Sequence, residues 1–155
     1  GIQVGDLQVA AIVAVNACGN VVDYETNELL AGVYDSHSGS VLKAQDVLFQ
    51  QMDALRKLPE GNTTIGCIVT NAKLDKAQCT KIAGIAHNGY ARAIHPVHTM
   101  SDGDSIFVLS SGEVEVMADA VGMLATEMMA KAIKRAVLHA ESAYGLPAHS
   151  DVICK

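Results

Sequence analysis

The sequence contains no tryptophan and few other aromatic residues, with two phenylalanines and four tyrosines among 155 residues. Half of the residues are hydrophobic, so a core of valine, isoleucine, leucine, alanine and methionine can still be buried. Basic residues are also few, 11 against 17 acidic ones, which gives a net charge of −6. No basic stripe marks a nucleic-acid surface, and no apolar run approaches the length of a membrane span. We therefore expect one domain portion, 1–155, that binds neither nucleic acid nor a membrane.

The cysteines form neither a CxxC pair nor a zinc-binding spacing. They are Cys18, Cys67, Cys79 and Cys154. Three of them lie in apolar or helical contexts, which predicts buried free thiols. Free thiols are typical of a reducing compartment, and no signal peptide is visible, although the chain starts at Gly1 rather than at methionine. We therefore expect a cytoplasmic protein.

Two apolar, β-branched segments, 8–15 and 63–69, predict strands that are buried on both faces. Helical spacing of apolar residues predicts helices over Lys43 to Leu58, over Asp75 to Ile94 and over Val114 to Tyr144. Shorter strands are predicted at 21–22, 29–34 and 105–109, and the polar stretch from Asp23 to Gln45 is predicted to be the least ordered. Strands mixed with long helices indicate the α/β (α+β) class. The two buried strands need more sheet than this chain supplies.

A turn leads directly into the second buried strand at Asn62-Thr63-Thr64. A threonine hydroxyl is a weak nucleophile by itself. As the first residue of a chain it gains a free α-amino group, with a pKa of about 7.7–8.0, that can serve as its general base. Thr63 would reach that state by attacking its own preceding peptide bond, which gives an ester that water opens. The alternative is that both threonines are β-branched strand residues and nothing more.

Three further polar residues lie at turns next to predicted strands. Asn16 ends the first buried strand, where it is either a turn-forming asparagine or a side-chain donor to a developing oxyanion. Asp102 and Asp104 flank a glycine before the strand at 105. They form either a surface Asp-Gly turn or a pair of carboxylates that converge on the hydroxyl and amine of Thr63.

His95 and His98, together with the two aspartates, suggest a metal site. However, Pro96 separates the histidines and breaks the helix, so the two rings do not share a helical face. The alternative, that both are loop histidines, is favoured. We expect no metal and no cofactor.

Three long segments resemble the P1 peptidase family, which contains L-aminopeptidase D-Ala-esterase/amidases, β-peptidyl aminopeptidases and nylon-oligomer hydrolases. NTTIGCIVTNAKLDKAQCTKIAGIAHNGYARAIHPVHTMSDGDSIF, residues 62–107, resembles the catalytic region of that family. VAAIVAVNACGNVVDYETNELLAGVYD, residues 9–35, resembles the segment before the cleavage site, and ESAYGLPAHSD, residues 141–151, resembles the C-terminus. Together the resemblance extends over essentially the whole chain.

The resemblance implies a four-layer αββα sandwich similar to that of N-terminal-nucleophile hydrolases, and self-cleavage between Asn62 and Thr63. Residues 1–62 would be the C-terminal part of an α subunit, and residues 63–155 would be the β subunit. Thr63 would be the nucleophile and, through its new amine, the base, with Thr64 as a strand residue beside it. Asn16 would be an oxyanion-hole donor. Asp102 and Asp104 would orient the hydroxyl and the amine.

Members of that family are longer, so the chain resembles their C-terminal portion and contains part of the full fold. An upstream α-subunit segment would supply a second oxyanion donor and the missing sheet partners, and αβ units would assemble into homo-oligomers. The implied reaction is hydrolysis of short peptides or amides with a free N-terminal amine. Three alternatives stay open: an endo-acting amidase for ω-amino-acid oligomers, an acyltransferase of the ornithine acetyltransferase type, and an inactive fragment that serves as an assembly module.

Overall fold

The structure, a computed structural model, describes residues 1–50 and 61–153. In these ranges the strands are β1 (Ile2–Val4), β2 (Leu7–Ala14), β3 (Asn20–Val22), β4 (Leu29–Ala31), β5 (Val33–Asp35), β6 (Ser40–Leu42), β7 (Ile65–Ala72), β8 (Ile94–His95) and β9 (Ser105–Val114). The helices are α1 (Ala44–Gln50), α2 (Lys76–Ala93), α3 (Ala118–Leu138) and α4 (His149–Ile153). The helix predicted over 43–58 begins as α1. The later part of that predicted helix, with Met52 and Leu55, and its predicted stop at Pro59 lie outside the described ranges. Cys154 lies outside them as well.

The larger sheet has the strand order β1-β2-β7-β9. Pairing is antiparallel between β1 and β2 and between β2 and β7, and parallel between β7 and β9. Ala14 at the end of β2 pairs with Ile65 at the start of β7, which in turn pairs with Ser105 at the start of β9. The residue that follows β2 and the residues that precede β7 and β9 therefore meet at one end of the sheet.

Helices α2 and α3 pack against each other and cover one face of this sheet. Gly89 of α2 permits a close approach, because a Cβ atom there would lie 2.6 Å from the carbonyl oxygen of Thr126 and 2.8 Å from Cβ of Met129 in α3. Every second strand residue faces the helices, and Ile68 of β7 is fully buried with Tyr90 of α2. Removal of these apolar side chains from water is the main source of stability.

The opposite face of the larger sheet is apolar and exposed within the described residues. Ile12 is 69% exposed, Phe107 61% and Leu109 59%. Within the described residues, the long strands are thus covered by helices on one face only, and the prediction that both faces are buried stays a prediction. The predicted α/β (α+β) class is confirmed. One sheet layer and one helix layer make up half of the predicted αββα sandwich, and the other two layers stay a prediction.

The polar stretch from 23 to 45, predicted to be the least ordered, contains β4, the β5–β6 hairpin and the start of α1. Strand β4 joins β3 and β8 in a second, three-stranded sheet. The stretch is tied to the helices by Tyr24, whose hydroxyl donates to Glu127 Oε1 at 2.8 Å. Asp23 forms an ion pair with Lys134 of α3 at 2.7 Å. These polar contacts to α3 order a segment that has few apolar residues of its own.

The ends of the two long helices follow local signals. Helix α2 begins with a capping box, in which Asp75 and Gln78 each bond the backbone N–H of the other, so the prediction of 75–94 is confirmed to within one residue. Helix α3 is shorter than predicted at both ends: it begins at Ala118, because β9 extends to Val114, and it ends at Leu138, before Tyr144. A bend at Gly112, with φ of +82°, lets the strand continue past the point where its apolar alternation stops.

The three described cysteines, Cys18, Cys67 and Cys79, are free thiols of intermediate exposure. They are less buried than the sequence predicts. Cys67 follows the alternation of β7 onto the exposed face of the larger sheet, which explains its partial exposure.

Candidate active site

Thr63 lies at the end of the sheet where β2 stops and β7 and β9 begin. Its backbone N–H donates to the carbonyl oxygen of Asn16 at 2.9 Å. Its hydroxyl donates to the carbonyl oxygen of Asn62 at 2.7 Å. The residue is partly exposed, so the hydroxyl is close to the peptide bond that precedes it and remains accessible from the sheet edge.

The segment before β9 holds the backbone around Thr63 in register. The N–H of Asn62 donates to the carbonyl oxygen of Ser101 at 3.3 Å, and the N–H of Gly103 donates to the carbonyl oxygen of Asn62 at 2.9 Å. The N–H of Ser105 donates to the carbonyl oxygen of Thr64 at 3.0 Å. Parallel pairing of β7 and β9 thus begins before the strands themselves and fixes the peptide groups on both sides of Thr63.

Asp104 contacts the residue after Thr63. Its Oδ1 accepts the backbone N–H of Thr64 at 2.9 Å, and its side chain is only 4% exposed. The buried Oδ2 lies 2.8 Å from Nδ1 of His98. That contact has the length of an ion pair but not the directed geometry of a hydrogen bond, and no other described group bonds Oδ2. The contact is therefore a close approach of an imidazole nitrogen to a buried carboxylate oxygen.

His98 belongs to an aromatic cluster behind the site. Its ring centroid lies 4.8 Å from that of His87 and 5.9 Å from that of Tyr90. Burial and the neighbouring His98 lower the pKa of His87, against an opposing effect of Asp104. Burial, followed by the charge of Asp104, raises the pKa of Tyr90. The Tyr90 hydroxyl donates to the carbonyl oxygens of Thr64 and Ser105, so this cluster braces the backbone next to Thr63.

Asp102 stabilises the turn that precedes Gly103. Its Oδ2 accepts both the N–H and the hydroxyl of Thr99 at 2.8 Å. Burial, and then the charge of Asp102, raise the pKa of the Cys18 thiol, which places the carboxylate near the loop after β2. The structure therefore brings Asp102 and Asp104 to the sheet edge beside Thr63. Within the described residues, however, the Asp104 carboxylate bonds Thr64 and the Asp102 carboxylate bonds Thr99, and neither bonds the Thr63 hydroxyl.

Asn16 is brought next to Thr63 as well, but the contact is made by its main-chain carbonyl, and the residue is exposed. An exposed side-chain amide next to Thr63 is compatible with donation to a bound carbonyl oxygen. A cleft of about 690 Å³ opens beside it, lined by the loop after β2, the C-terminal end of α3 and the segment from 143 to 149. A cleft of similar volume, about 700 Å³, lies over the opposite ends of the same strands. Of the candidate residues, Asn16 lines the first cleft, and none lines the second.

The two histidines considered as metal ligands are separated in the structure. His98 contacts Asp104, whereas Nε2 of His95 lies 3.0 Å from the carbonyl oxygen of Ala91. Across the described ranges, no group of three or more histidine, cysteine, aspartate or glutamate side chains is placed to hold a metal ion.

Sequence reasoning missed the roles of Gly103, Tyr90 and His98 at this site. No local sequence pattern singles out Gly103, because its amide reaches the Asn62 carbonyl only when the segments before β7 and β9 pair in parallel. Tyr90 resembles an ordinary core residue of an amphipathic helix. The sequence suggests His98 only as a metal ligand or a loop residue. Its position shortly before an Asp-Gly-Asp turn is the sequence signal that a carboxylate lies near its ring.

Residues 2–150 match the family described as Peptidase family S58. An uncharacterized aminopeptidase of Mycobacterium tuberculosis is 37% identical in an alignment 175 residues long. The alignment covers 98% of this chain and 48% of the relative. The 6-aminohexanoate-oligomer endohydrolase of Paenarthrobacter ureafaciens is 30% identical over 151 residues, which cover 86% of this chain and 42% of the relative. The chain thus spans about half the length of the curated relatives it matches.

Among solved structures, a β-aminopeptidase of a Burkholderia species aligns with 84% of this chain and 41% of its own, at 21% identity and a TM-score of 0.46. No helix within the described residues is both long enough and apolar enough to cross a membrane.

Proposed function

Because the chain belongs to peptidase family S58, we propose that it is the C-terminal portion of a self-processing, P1-type amide hydrolase that works through an acyl-enzyme on Thr63. The observation that carries the proposal is the 2.7 Å contact between the Thr63 hydroxyl and the carbonyl group of Asn62. It puts a nucleophile beside the peptide bond that must break for the residue to gain a free amine. The relatives named aminopeptidase and endohydrolase support amide hydrolysis as the reaction.

After cleavage, residues 63–155 would form a β subunit that begins with Thr63, and residues 1–62 would end the α subunit. The new α-amine would take the hydroxyl proton as Thr63 attacks a substrate carbonyl, and would return a proton to the leaving amine. The exposed side chain of Asn16 would donate to the oxyanion. One such donor lowers the barrier by about 3–4 kcal/mol.

Asp102 and Asp104 would act mainly by fixing the backbone on either side of Thr63. This role differs from direct contact with the hydroxyl, since their described hydrogen bonds go to Thr99 and to the Thr64 amide.

Short peptides or amides with a free N-terminal amine are the proposed substrates of the whole protein. The 6-aminohexanoate-oligomer endohydrolases among the relatives favour one second candidate, endo-acting cleavage of ω-amino-acid oligomers. An oligomer with a blocked N-terminus distinguishes the two, because an aminopeptidase leaves it intact. We further propose that an upstream α-subunit segment completes the fold, that αβ units form homo-oligomers, and that the protein is cytoplasmic.

The test compares two isosteric variants in the full-length polypeptide. Thr63→Val removes the proposed nucleophile. Thr64→Val removes a fully buried hydroxyl that makes no hydrogen bond within the described residues. Denaturing intact-mass spectrometry should show a fragment that begins at residue 63 for the wild type and for Thr64→Val, and an uncut chain for Thr63→Val.

Cleavage of Thr63→Val at the wild-type rate would exclude Thr63 as the nucleophile. An uncut wild-type chain would overturn the self-processing function and favour an inactive assembly module. Continued acyl transfer to an added amine in place of water would instead indicate the acyltransferase alternative. Thr64→Val should also be slightly more stable, since burial of an unpaired hydroxyl is unfavourable by about 1–3 kcal/mol.

A further inference from the structure

The carbonyl oxygen of Asn62 receives two hydrogen bonds, and one of them comes from a residue with no assigned role. The first donor is the Thr63 hydroxyl at 2.7 Å. The second is the main-chain N–H of Gly103 at 2.9 Å. This oxygen is the atom on which negative charge would develop if Thr63 attacked the Asn62 carbonyl carbon. A backbone donor already bonded to it is placed as oxyanion-hole donors are.

We propose that the main-chain amide of Gly103 is the oxyanion donor of the self-cleavage step. The inference rests on the proposed function, since it needs cleavage between Asn62 and Thr63. It assigns to Gly103 a part distinct from that of Asn16, whose side chain would serve the substrate carbonyl in later turnovers. Gly103 is a catalytic residue in this step because its amide touches a reacting atom.

The step balances without any group other than water. Oγ1 of Thr63 bonds to the Asn62 carbonyl carbon, and the carbonyl electron pair moves onto the oxygen held by the Gly103 N–H. The electron pair returns, the carbon–nitrogen bond of the Asn62–Thr63 peptide breaks, and the hydroxyl proton ends on the freed Thr63 amine. Water then adds to the resulting ester carbon. The ester carbon–oxygen bond breaks, which leaves a carboxylate at Asn62, returns one water proton to the Thr63 hydroxyl and puts the other on the Thr63 amine.

The turn before Gly103 fixes the direction of its amide. Asp102 Oδ2 accepts the N–H and the hydroxyl of Thr99, and the N–H of Asp102 donates back to the Thr99 carbonyl oxygen at 3.1 Å. The adjacent carbonyl of Ser101 accepts the N–H of Asn62. The turn therefore bonds both main-chain polar groups of Asn62, its N–H and its carbonyl oxygen. Asp102 is a positioning residue that acts through Gly103.

The space at Gly103 is restricted by the nucleophile itself. A Cβ atom there would lie 2.8 Å from Oγ1 of Thr63, which is closer than a Cβ atom normally approaches. A side chain at this position would therefore displace either the hydroxyl or the turn. Glycine lets the amide come close enough to the Asn62 carbonyl while the hydroxyl keeps its place.

The sharpest test replaces the Gly103 amide by an ester, with glycolic acid incorporated at that position in the full-length polypeptide. This change removes the N–H and keeps the shape of the chain. The matched control is the same change at Gly39, whose N–H donates to the carbonyl oxygen of Asp35 at 2.8 Å in the distant β5–β6 turn. The rate of appearance of the fragment that begins at residue 63 is followed by intact-mass spectrometry, and folding is checked by circular dichroism.

Loss of one oxyanion donor slows a reaction by about 10²–10³-fold, so we expect the Gly103 ester to slow cleavage by about that factor and the Gly39 ester to leave it unchanged. Equal rates for the two esters would overturn the inference while the proposed function stands. If the wild type itself does not cleave, the proposed function fails first.

A second pair of variants keeps the test decisive if the ester perturbs folding. Gly103→Ala retains the amide but places a methyl group against the Thr63 hydroxyl. Gly84→Ala adds the same group to α2, where a Cβ atom meets nothing within 4 Å. We expect slowed cleavage for Gly103→Ala alone. Wild-type cleavage by a folded Gly103→Ala variant would contradict the packing of the turn on Thr63 and, with it, the inference.

Discussion

The hydroxyl of Tyr90 can be removed by a Tyr90→Phe substitution that leaves the ring in place. The side chain is fully buried, and its hydroxyl donates to the carbonyl oxygens of Thr64 at 3.3 Å and of Ser105 at 3.2 Å. These two residues lie where β7 and β9 begin to pair. The single hydroxyl therefore links α2 to both strand starts beside Thr63.

The size of the effect follows from the geometry. Both contacts are long and share one hydrogen, so together they amount to about one neutral hydrogen bond, which contributes about 0.5–1.5 kcal/mol. The Thr64 carbonyl keeps its bond from the Ser105 N–H, which limits the additional loss from an unpaired acceptor. We expect the free energy of unfolding to fall by about 1–2 kcal/mol in urea denaturation of the whole protein.

Tyr144→Phe is the matched control, because Tyr144 is fully exposed and the same hydroxyl is removed. Its effect should stay within about 0.5 kcal/mol. If Tyr90→Phe unfolds at the same urea concentration as Tyr144→Phe, the Tyr90 hydroxyl does not brace the strand starts and the reasoning is refuted.

The same variant changes the response to alkaline pH. Burial and the charge of Asp104 raise the pKa of Tyr90, so the folded protein favours the neutral phenol. The corresponding stability is fully present below the unfolded pKa of about 10 and is lost as the pH rises from there towards the folded value. Above pH 10, the free energy of unfolding of Tyr90→Phe should therefore fall less than that of the wild type. The difference between the two falls reflects the raised pKa that the substitution removes.

Two further predictions concern the scaffold. Gly89→Ala should lower the free energy of unfolding by about 1–3 kcal/mol, because its Cβ atom would lie 2.6 Å from a carbonyl oxygen of α3. Gly84→Ala in the same helix should instead raise the free energy of unfolding by about 0.5–1 kcal/mol. Urea denaturation measures both variants, and equal effects would contradict the close contact between α2 and α3. Hydrogen bonding to Lys134 lowers the pKa of Asp23, so its stabilising effect is present above the unfolded pKa and is lost as the pH falls through the folded one. Lys134→Met should therefore flatten the fall in stability below about pH 4, whereas Lys131→Met on the same helix should not; parallel pH profiles for the two variants would refute the assignment.

The sequence predicted the elements whose local signals agree with their environment. Helix α2 has a capping box at Asp75 and an apolar stripe, and both features act within the helix itself. The long strands β2 and β7 were predicted from β-branched runs, and their burial on two faces stays a prediction. An apolar sequence does not distinguish the strand face that the helices cover from the face that is exposed within the described residues. Ile12 is exposed and Ile68 is buried, yet both are isoleucines in apolar runs.

The structure brings the predicted site residues to one edge of the sheet, and their catalytic roles stay a prediction. The residues are Asn16, Thr63, Asp102 and Asp104. Which atom bonds which partner depends on the parallel register between β7 and β9, and that pairing joins segments about 40 residues apart, as from Thr64 to Asp104. No local pattern encodes such a register, so the roles of the Gly103 amide and of Tyr90 emerge only from the folded chain.

The contacts around Thr63 also suit a residue that must stay in place after its own peptide bond is cut. Its nitrogen already donates to the Asn16 carbonyl, and an amine formed there would keep that acceptor. Thr64 is anchored through its N–H to Asp104 and through its carbonyl to the Ser105 N–H. Cleavage would release only the bonds made by Asn62. Two hydrogen bonds of Thr64, to Asp104 and to Ser105, therefore lie within residues 63–155 and do not depend on the chain that ends at Asn62, so a cut between Asn62 and Thr63 would leave Thr64 anchored.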